Sequence, residues 1–135
     1  MDGVKLSPLA KIYHPKGQIY HAMKKSDAGF SGFGETYFTF INCNETKGWK
    51  KHSKMVSNLI VPIGKVKVVV YDQRVSDFFS VVLSPSNYQR LTVEPNLWVA
   101  FKGIEKENLM LNVASLEHDP DEAHNIELKD IDYEW

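Results

Sequence analysis

Apolar and polar residues alternate with a period of two through most of this chain, and no long stretch repeats at the helical period of 3.6. Residues 59–63, 65–71, 78–83, 90–93, 98–101 and 109–114 each read as a short strand rich in Val, Ile, Phe, Tyr and Trp. Turn chemistry separates them, at Pro62-Ile-Gly64, residues 72–77, Ser84-Pro-Ser-Asn87, Glu94-Pro-Asn96 and residues 103–108. Residues 18–23 and 36–42 are further strand candidates, with a loop expected at the glycine cluster Gly29, Gly32 and Gly34. Residues 120–124 allow one helical turn. Many short strands at regular spacing favour a sandwich or barrel. With no internal repeat or linker, the chain of 135 residues reads as a single all-β domain, 1–135.

Composition narrows the function classes. A hydrophobic share of 43% and a charged share of 24% are those of a water-soluble globular domain. The longest apolar runs, such as Val68-Val-Val-Tyr71, are far too short to span a bilayer, and residues 1–8 lack the apolar run of a secretory signal. The single Cys43 excludes an intrachain disulfide. A cytoplasmic protein without a membrane partner is expected. A net charge of -1 argues against a dedicated nucleic-acid binder. The charge is nevertheless uneven. Lys47, Lys50, Lys51 and Lys54 crowd around His52, while residues 117–134 carry eight acids against the single base Lys129. Either these are a solvated basic edge and a solvated acidic terminus, or the basic cluster recognises an anion such as a diphosphate.

On a strand, alternation puts Lys50 and His52 on one face and Trp49 and Lys51 on the other. If the first face looks inward, His52 becomes an imidazole in a concave site beside a cation, which suits a proton-transfer base. Otherwise it is a hydrogen-bonded strand histidine. Counting back from Gly64 gives Ser57, His52 and Lys50 at the places where metal-binding cupins carry Glu, His and His in H-x-H-x(3,4)-E-x(6)-G. Those three residues cannot hold a divalent cation, because the Lys is protonated near neutral pH. In residues 95–100, Leu97 and Ala100 stand where the second cupin motif, P-x-G-x-x-H, has its Gly and His. Within that stretch Trp98 is either core packing or a stacking platform for a sugar or base. His118 and His124 fall in an acidic segment expected to be a surface loop rather than a metal site. P-loop, G-x-S-x-G and G-x-G-x-x-G signatures are absent. Neither a metal nor another cofactor is expected.

Read end to end, residues 15–135 resemble the dTDP-4-dehydrorhamnose 3,5-epimerase family, the metal-free sugar-nucleotide cupins. Pro15-Lys-Gly-Gln-Ile-Tyr-His21 is similar to the family's R-G-x-F-x-E segment, and Lys47-Gly-Trp-Lys-Lys-His52 to its K-G-x-x-R-G-L-H region. Residues 59–72 resemble the strand pair that follows, Leu83-Ser-Pro-Ser-Asn87 resembles L-S-x-x-N, and Ile131-Asp-Tyr-Glu-Trp135 resembles the terminal I-x-W. A subgroup of short bacterial relatives associated with polysaccharide synthesis matches the W-x-x-H and N-Y-Q-R-L-T-V-x-P forms seen here. The resemblance implies a cupin jelly-roll barrel, a homodimer, and a nucleotide-sugar substrate carrying a 4-keto-6-deoxyhexose. It implies His52 as the catalytic base. It also implies substrate contacts from Lys16, in place of an Arg, and from His21, in place of a Glu, with Lys50, Lys54 and Trp98 completing the expected set. The family's Lys falls near Ser57, its acid Tyr near Leu111 and its second His at Ala100. Those departures point away from full 3,5-epimerisation, toward epimerisation at one centre or keto-isomerisation, with Lys50 or Lys54 replacing the lost enolate stabiliser. The alternative is a non-catalytic cupin that binds a sugar nucleotide or a partner protein.

Overall fold

The computed structural model describes residues 1–135. In chain order the strands are β1 (Val4–Pro8), β2 (Lys11–Ile12), β3 (Ile19–Tyr20), β4 (Glu35–Phe40), β5 (Thr46–His52), β6 (Ser57–Ile63), β7 (Val66–Asp72), β8 (Asp77–Leu83), β9 (Gln89–Val93), β10 (Trp98–Gly103), β11 (Leu109–Ala114) and β12 (Ala123–Asn125), followed by a 3-10 turn at Leu128–Asp130. Two five-stranded antiparallel sheets face each other, one ordered β1-β9-β6-β11-β4 and the other β12-β5-β10-β7-β8. β2 and β3 form a small separate hairpin. This is the all-β sandwich that the periodicity favours, in the jelly-roll form that the family resemblance implies.

Alternation along each strand decides what faces the interior. On β9, Leu91 and Val93 turn into the core while Arg90 and Thr92 point to the outer face. On β7, Val66, Val68 and Val70 join the same core, and Val69 packs on the opposite side. Leu59, Val61, Leu83, Leu97 and Met110 complete a core that seals one end of the sandwich. Burying an aliphatic side chain of this size is worth about 2 kcal/mol, so this cluster is the main source of stability. The crossover from β6 to β7 turns at Gly64, where φ is +82° and a side chain would run into the backbone of Glu107 and Asn108.

Both outer faces are covered in part. Buried Arg90 donates to the carbonyls of Ala22 and Ala28 at 2.9 and 2.8 Å and pairs with Asp27 at 3.2 Å, so residues 22–28 are clamped over the first sheet. Across the back of the second sheet runs the C-terminal segment. Its Ile126, Leu128, Ile131, Tyr133 and Trp135 pack on Trp49, Val69, Trp98 and Ala100. Trp49 is fully buried and donates from Nε1 to the Leu128 carbonyl at 3.2 Å. The acidic terminus is therefore not simply a solvated tail. Its acids alternate with apolar residues that grip the sheet.

Three local expectations change. Residues 18–23 yield only the two-residue β3, and β1 was not anticipated because Val-Lys-Leu-Ser-Pro is too short to carry a clear period. Residues 120–124 are not a helical turn. The N–H of Glu122 closes a turn on the Asp119 carbonyl at 3.1 Å, and the chain then pairs with β5 as β12.

Candidate active site

At the end of the sandwich opposite the packed core, the two sheets enclose a cavity of about 510 Å³. One wall comes from β5, and a β-bulge gives it its character. Between the pairs Val99↔Lys50 and Phe101↔Lys47, β5 uses one residue more than β10, so the alternation slips at Gly48-Trp49. As a result Lys47, Lys50 and His52 all line the cavity, while Trp49 lies on the far side of the sheet. The sequence expectation that Lys50 and His52 share a face opposite Trp49 and Lys51 is met, since Lys51 instead lies 4.7 Å from the Trp98 ring. Ser57, Met55, Val99 and Phe101 extend the same cavity.

His52 is held from behind. Its Nδ1 is 2.6 Å from Oε1 of Glu122, a side chain only 4% exposed. The other carboxylate oxygen of Glu122 accepts the backbone N–H groups of Lys54 and Met55, each at 2.9 Å. Burial alone would raise the pKa of Glu122. The hydrogen bonds from His52 and from the N–H groups of Met55 and Lys54 outweigh it and hold the value at about 2. Glu122 is thus ionised and can only accept. Nδ1 of His52 must carry its proton, and in the neutral ring Nε2 becomes the free basic nitrogen. The turn that delivers Glu122 is itself fixed, because Ser53 donates to the Glu122 carbonyl from its backbone N–H at 3.0 Å and its hydroxyl at 3.1 Å.

The opposite wall belongs to the other sheet. Glu35, Tyr37 and Thr39 of β4 line it, together with Met110 and Asn112 of β11. Tyr37 and Asn112 are register partners, and Nδ2 of Asn112 donates to the Tyr37 hydroxyl at 3.0 Å. Oδ1 of Asn112 accepts the backbone N–H of Asn58 at 3.0 Å. A tyrosine is therefore present, although the position aligned with the family's acid Tyr holds Leu111. The next strand over supplies it.

Of the residues expected at the site, the fold brings His52 and Lys50 together and leaves four outside this cavity. Trp98 is buried on the back of the sheet, with Nε1 on Gln73 at 3.3 Å, because it alternates with Val99, which takes the inward position. The backbone N–H of Lys54 serves Glu122, but its side chain is exposed past the end of β5. His21 is tied to the other sheet through its carbonyl, which accepts from Tyr88 at 2.8 Å. Lys16 sits in the exposed turn between β2 and β3 with its N–H on His14 Nδ1. Sequence reasoning missed Glu122, the buried partner of His52, and the lining residues Tyr37 and Asn112, while His118, expected on a surface loop, also lines the cavity. His118 is separated from His124, which lies on β12, and nowhere do three His, Cys, Asp or Glu side chains converge as a metal site.

Comparison with known proteins agrees with this architecture. The family model described as FdtA: WxcM-like, C-terminal matches residues 2–127. A dTDP sugar isomerase from Desulfovibrio desulfuricans G20 is 30% identical and superposes with a TM-score of 0.90, covering 94% of this chain and 85% of that one. The 3,4-ketoisomerase QdtA from Thermoanaerobacterium thermosaccharolyticum was crystallised, as a histidine-to-asparagine mutant, with TDP-4-keto-6-deoxyglucose. It is 21% identical with a TM-score of 0.80, covering 92% of this chain and 88% of that one. RmlC from Legionella pneumophila, a dTDP-6-deoxy-D-glucose-3,5-epimerase, is 16% identical with a TM-score of 0.81, covering 93% and 73%, and shares the fold. No curated protein matches the chain. The resemblance to sugar-nucleotide cupins is upheld by the similarity to a dTDP sugar isomerase, and the chain belongs to the family described as FdtA: WxcM-like, C-terminal.

Proposed function

We propose that this protein is a keto-isomerase of a nucleoside-diphosphate 4-keto-6-deoxyhexose, with His52 as the proton-transfer base. The observation that carries this reading is the 2.6 Å contact between His52 Nδ1 and buried Glu122 at the wall of a ligand-sized cavity. A carboxylate behind an imidazole fixes the tautomer and stabilises the imidazolium formed when Nε2 takes a proton.

The chemistry follows from that arrangement. Nε2 removes the proton from C3, alpha to the ketone, and the C–H electrons form a C3–C4 double bond while negative charge collects on O4. Lys50 and the Tyr37 hydroxyl, both lining the cavity, meet that charge. A proton then passes from the C3 hydroxyl to O4, the carbonyl reforms at C3, and the imidazolium returns its proton to C4. No atom is gained or lost. Return of the proton to C3 on the other face would instead epimerise that carbon. The place of Lys47 on the cavity wall, within the basic cluster, supports it as a diphosphate contact, and the family resemblance supports a place in surface-polysaccharide synthesis in the cytoplasm. A homodimer is supported by Phe33, Phe38 and Phe40, exposed by 64%, 62% and 75% along the open edge at β4.

The test is NMR in heavy water with dTDP-4-keto-6-deoxyglucose. Deuterium is expected at C3 or C4 together with a 3-keto product, and neither is expected with His52→Ala. Saturable binding without exchange would overturn the enzymatic reading in favour of a binding cupin. Sedimentation would report the dimer separately.

A further inference from the structure

Asn112 is 3% exposed, and no part of the reaction as written uses it. Its hydrogen bonds nevertheless dictate the state of a group that the reaction does use. The backbone N–H of Asn58 is a donor, so the atom of Asn112 that meets it at 3.0 Å must be Oδ1. That fixes which way the amide points. The amide nitrogen therefore faces the Tyr37 oxygen at 3.0 Å and can only donate to it. With one lone pair of the Tyr37 oxygen taken by Asn112, the hydroxyl proton cannot point back at Asn112 and is left for the cavity that Tyr37 lines. The Asn112 carbonyl is also engaged, by the Thr36 hydroxyl at 2.8 Å, and the β4–β11 pairing holds Tyr37 directly opposite.

We infer that Asn112 is a positioning residue whose amide orients the Tyr37 hydroxyl as a hydrogen-bond donor into the cavity. The inference rests on the keto-isomerase reading for its kinetic consequence but not for the hydrogen bond itself. A donor on this wall stabilises the oxygen where charge develops, whereas an acceptor there would repel it.

Asn112→Asp is the informative variant because it keeps the shape and reverses the polarity. One carboxylate oxygen still accepts from Asn58, and the other now draws the Tyr37 proton away from the cavity. At neutral pH kcat should fall roughly 10²-fold, the scale of one lost donor at a developing oxyanion, with KM little changed. Activity should recover in part as pH falls and the introduced carboxyl takes up a proton, since a protonated carboxyl donates again. In a Tyr37→Phe background the same substitution should cost almost nothing more, because the group it acts through is gone. A substitution that merely loosened the fold would lower both backgrounds alike and would not recover in acid. Near wild-type turnover, or additive losses in the double variant, would overturn the inference.

A second measurement needs neither substrate nor the Asn112 variant. The side-chain amide resonances of Asn112 should shift in Tyr37→Phe, which removes the acceptor from a partly exposed ring and leaves the fold intact. Unmoved resonances would overturn the inference. If the wild type catalyses no exchange at all, the keto-isomerase reading fails, and this resonance test still decides the positioning on its own.

Discussion

The two ends of this sandwich share β6 and β11 but otherwise draw largely on different strands, and they come out differently. At one end β6 contributes Val61, β9 Leu91 and Val93, β7 three valines and β8 Leu83, and the sheets close on a solid aliphatic core. At the other, β6 contributes Ser57, β5 Lys50 and His52, β11 Asn112 and β4 Glu35 and Tyr37, and the sheets stand apart around a cavity. Inward alternation is the same at both ends. What changes is the residue type placed on the inward positions. Polar side chains that need partners leave a space and orient one another, whereas branched aliphatics fill it. The packed end supplies stability, and the hollow end uses part of it to hold buried polar groups in place.

The sharpest way to break that division is a pair of alanine substitutions. His52→Ala should lower turnover by roughly 10³-fold or more, since a positioned general base is worth about 10²–10⁴, while stability falls by only about 1 kcal/mol, because Glu122 loses one hydrogen bond and keeps those from Lys54 and Met55. Leu91→Ala, at a fully buried position, should do the reverse. It should cost about 3 kcal/mol of stability and leave deuterium exchange per folded molecule unchanged. Denaturant unfolding and exchange kinetics on both variants check this. A loss of stability in the first as large as in the second, or a loss of chemistry in the second, would show that the two ends are not separable.

Acid should find the seam between the ends. Glu122 titrates at about 2 in the folded protein against an ordinary value of 4.5. A lowered folded value means that its contribution is fully present above the ordinary value and is lost as pH falls from about 4.5 to 2. The linkage is worth about 3 kcal/mol. Asp27 and Asp72 are also lowered, the first chiefly by the Lys24 N–H and the second by the Arg74 guanidinium, so part of the acid sensitivity is theirs. The diagnostic quantity is the difference between wild type and Glu122→Gln. Wild type should lose its advantage over the variant across that window, as followed by urea unfolding at stepped pH.

These two ends were also unequally legible in the sequence. Strand periodicity and turn residues located the packed end well, because its inward positions are apolar and its outward ones mostly polar. At the hollow end the metal-motif spacing, not the periodicity, picked out Lys50, His52 and Ser57, and all three line the cavity. The bulge at Gly48-Trp49 left that reading intact because Lys50 and His52 lie on the same side of it. Glu122 was hidden among eight acids, and nothing local distinguishes the one that a turn folds under β5. β4 was legible as a strand but not in its facing: Phe38 and Phe40 are exposed, and Glu35, Tyr37 and Thr39 face the cavity. Alternation revealed two faces on that strand and could not say which one looked inward.

Lys50→Met sharpens the comparison at its weakest point, where charge and shape are easiest to confuse. Lys50 is two residues from His52 on the inward face of β5, and the carbon chain of Met preserves most of its apolar reach. If its ammonium meets the charge that develops on O4, the substitution removes an interaction made mainly in the transition state, and kcat should fall about tenfold with KM little changed. An ammonium that instead held the diphosphate would act on ground state and transition state alike, and KM would rise while kcat stayed level. Lys47 lies beyond the bulge and offers the internal contrast: Lys47→Met is expected to give that second pattern. Stability should move by less than about 0.5 kcal/mol in either variant, because both side chains are exposed. Equal effects of the two substitutions on KM alone would take Lys50 out of the proton-transfer chemistry and leave the developing charge to Tyr37.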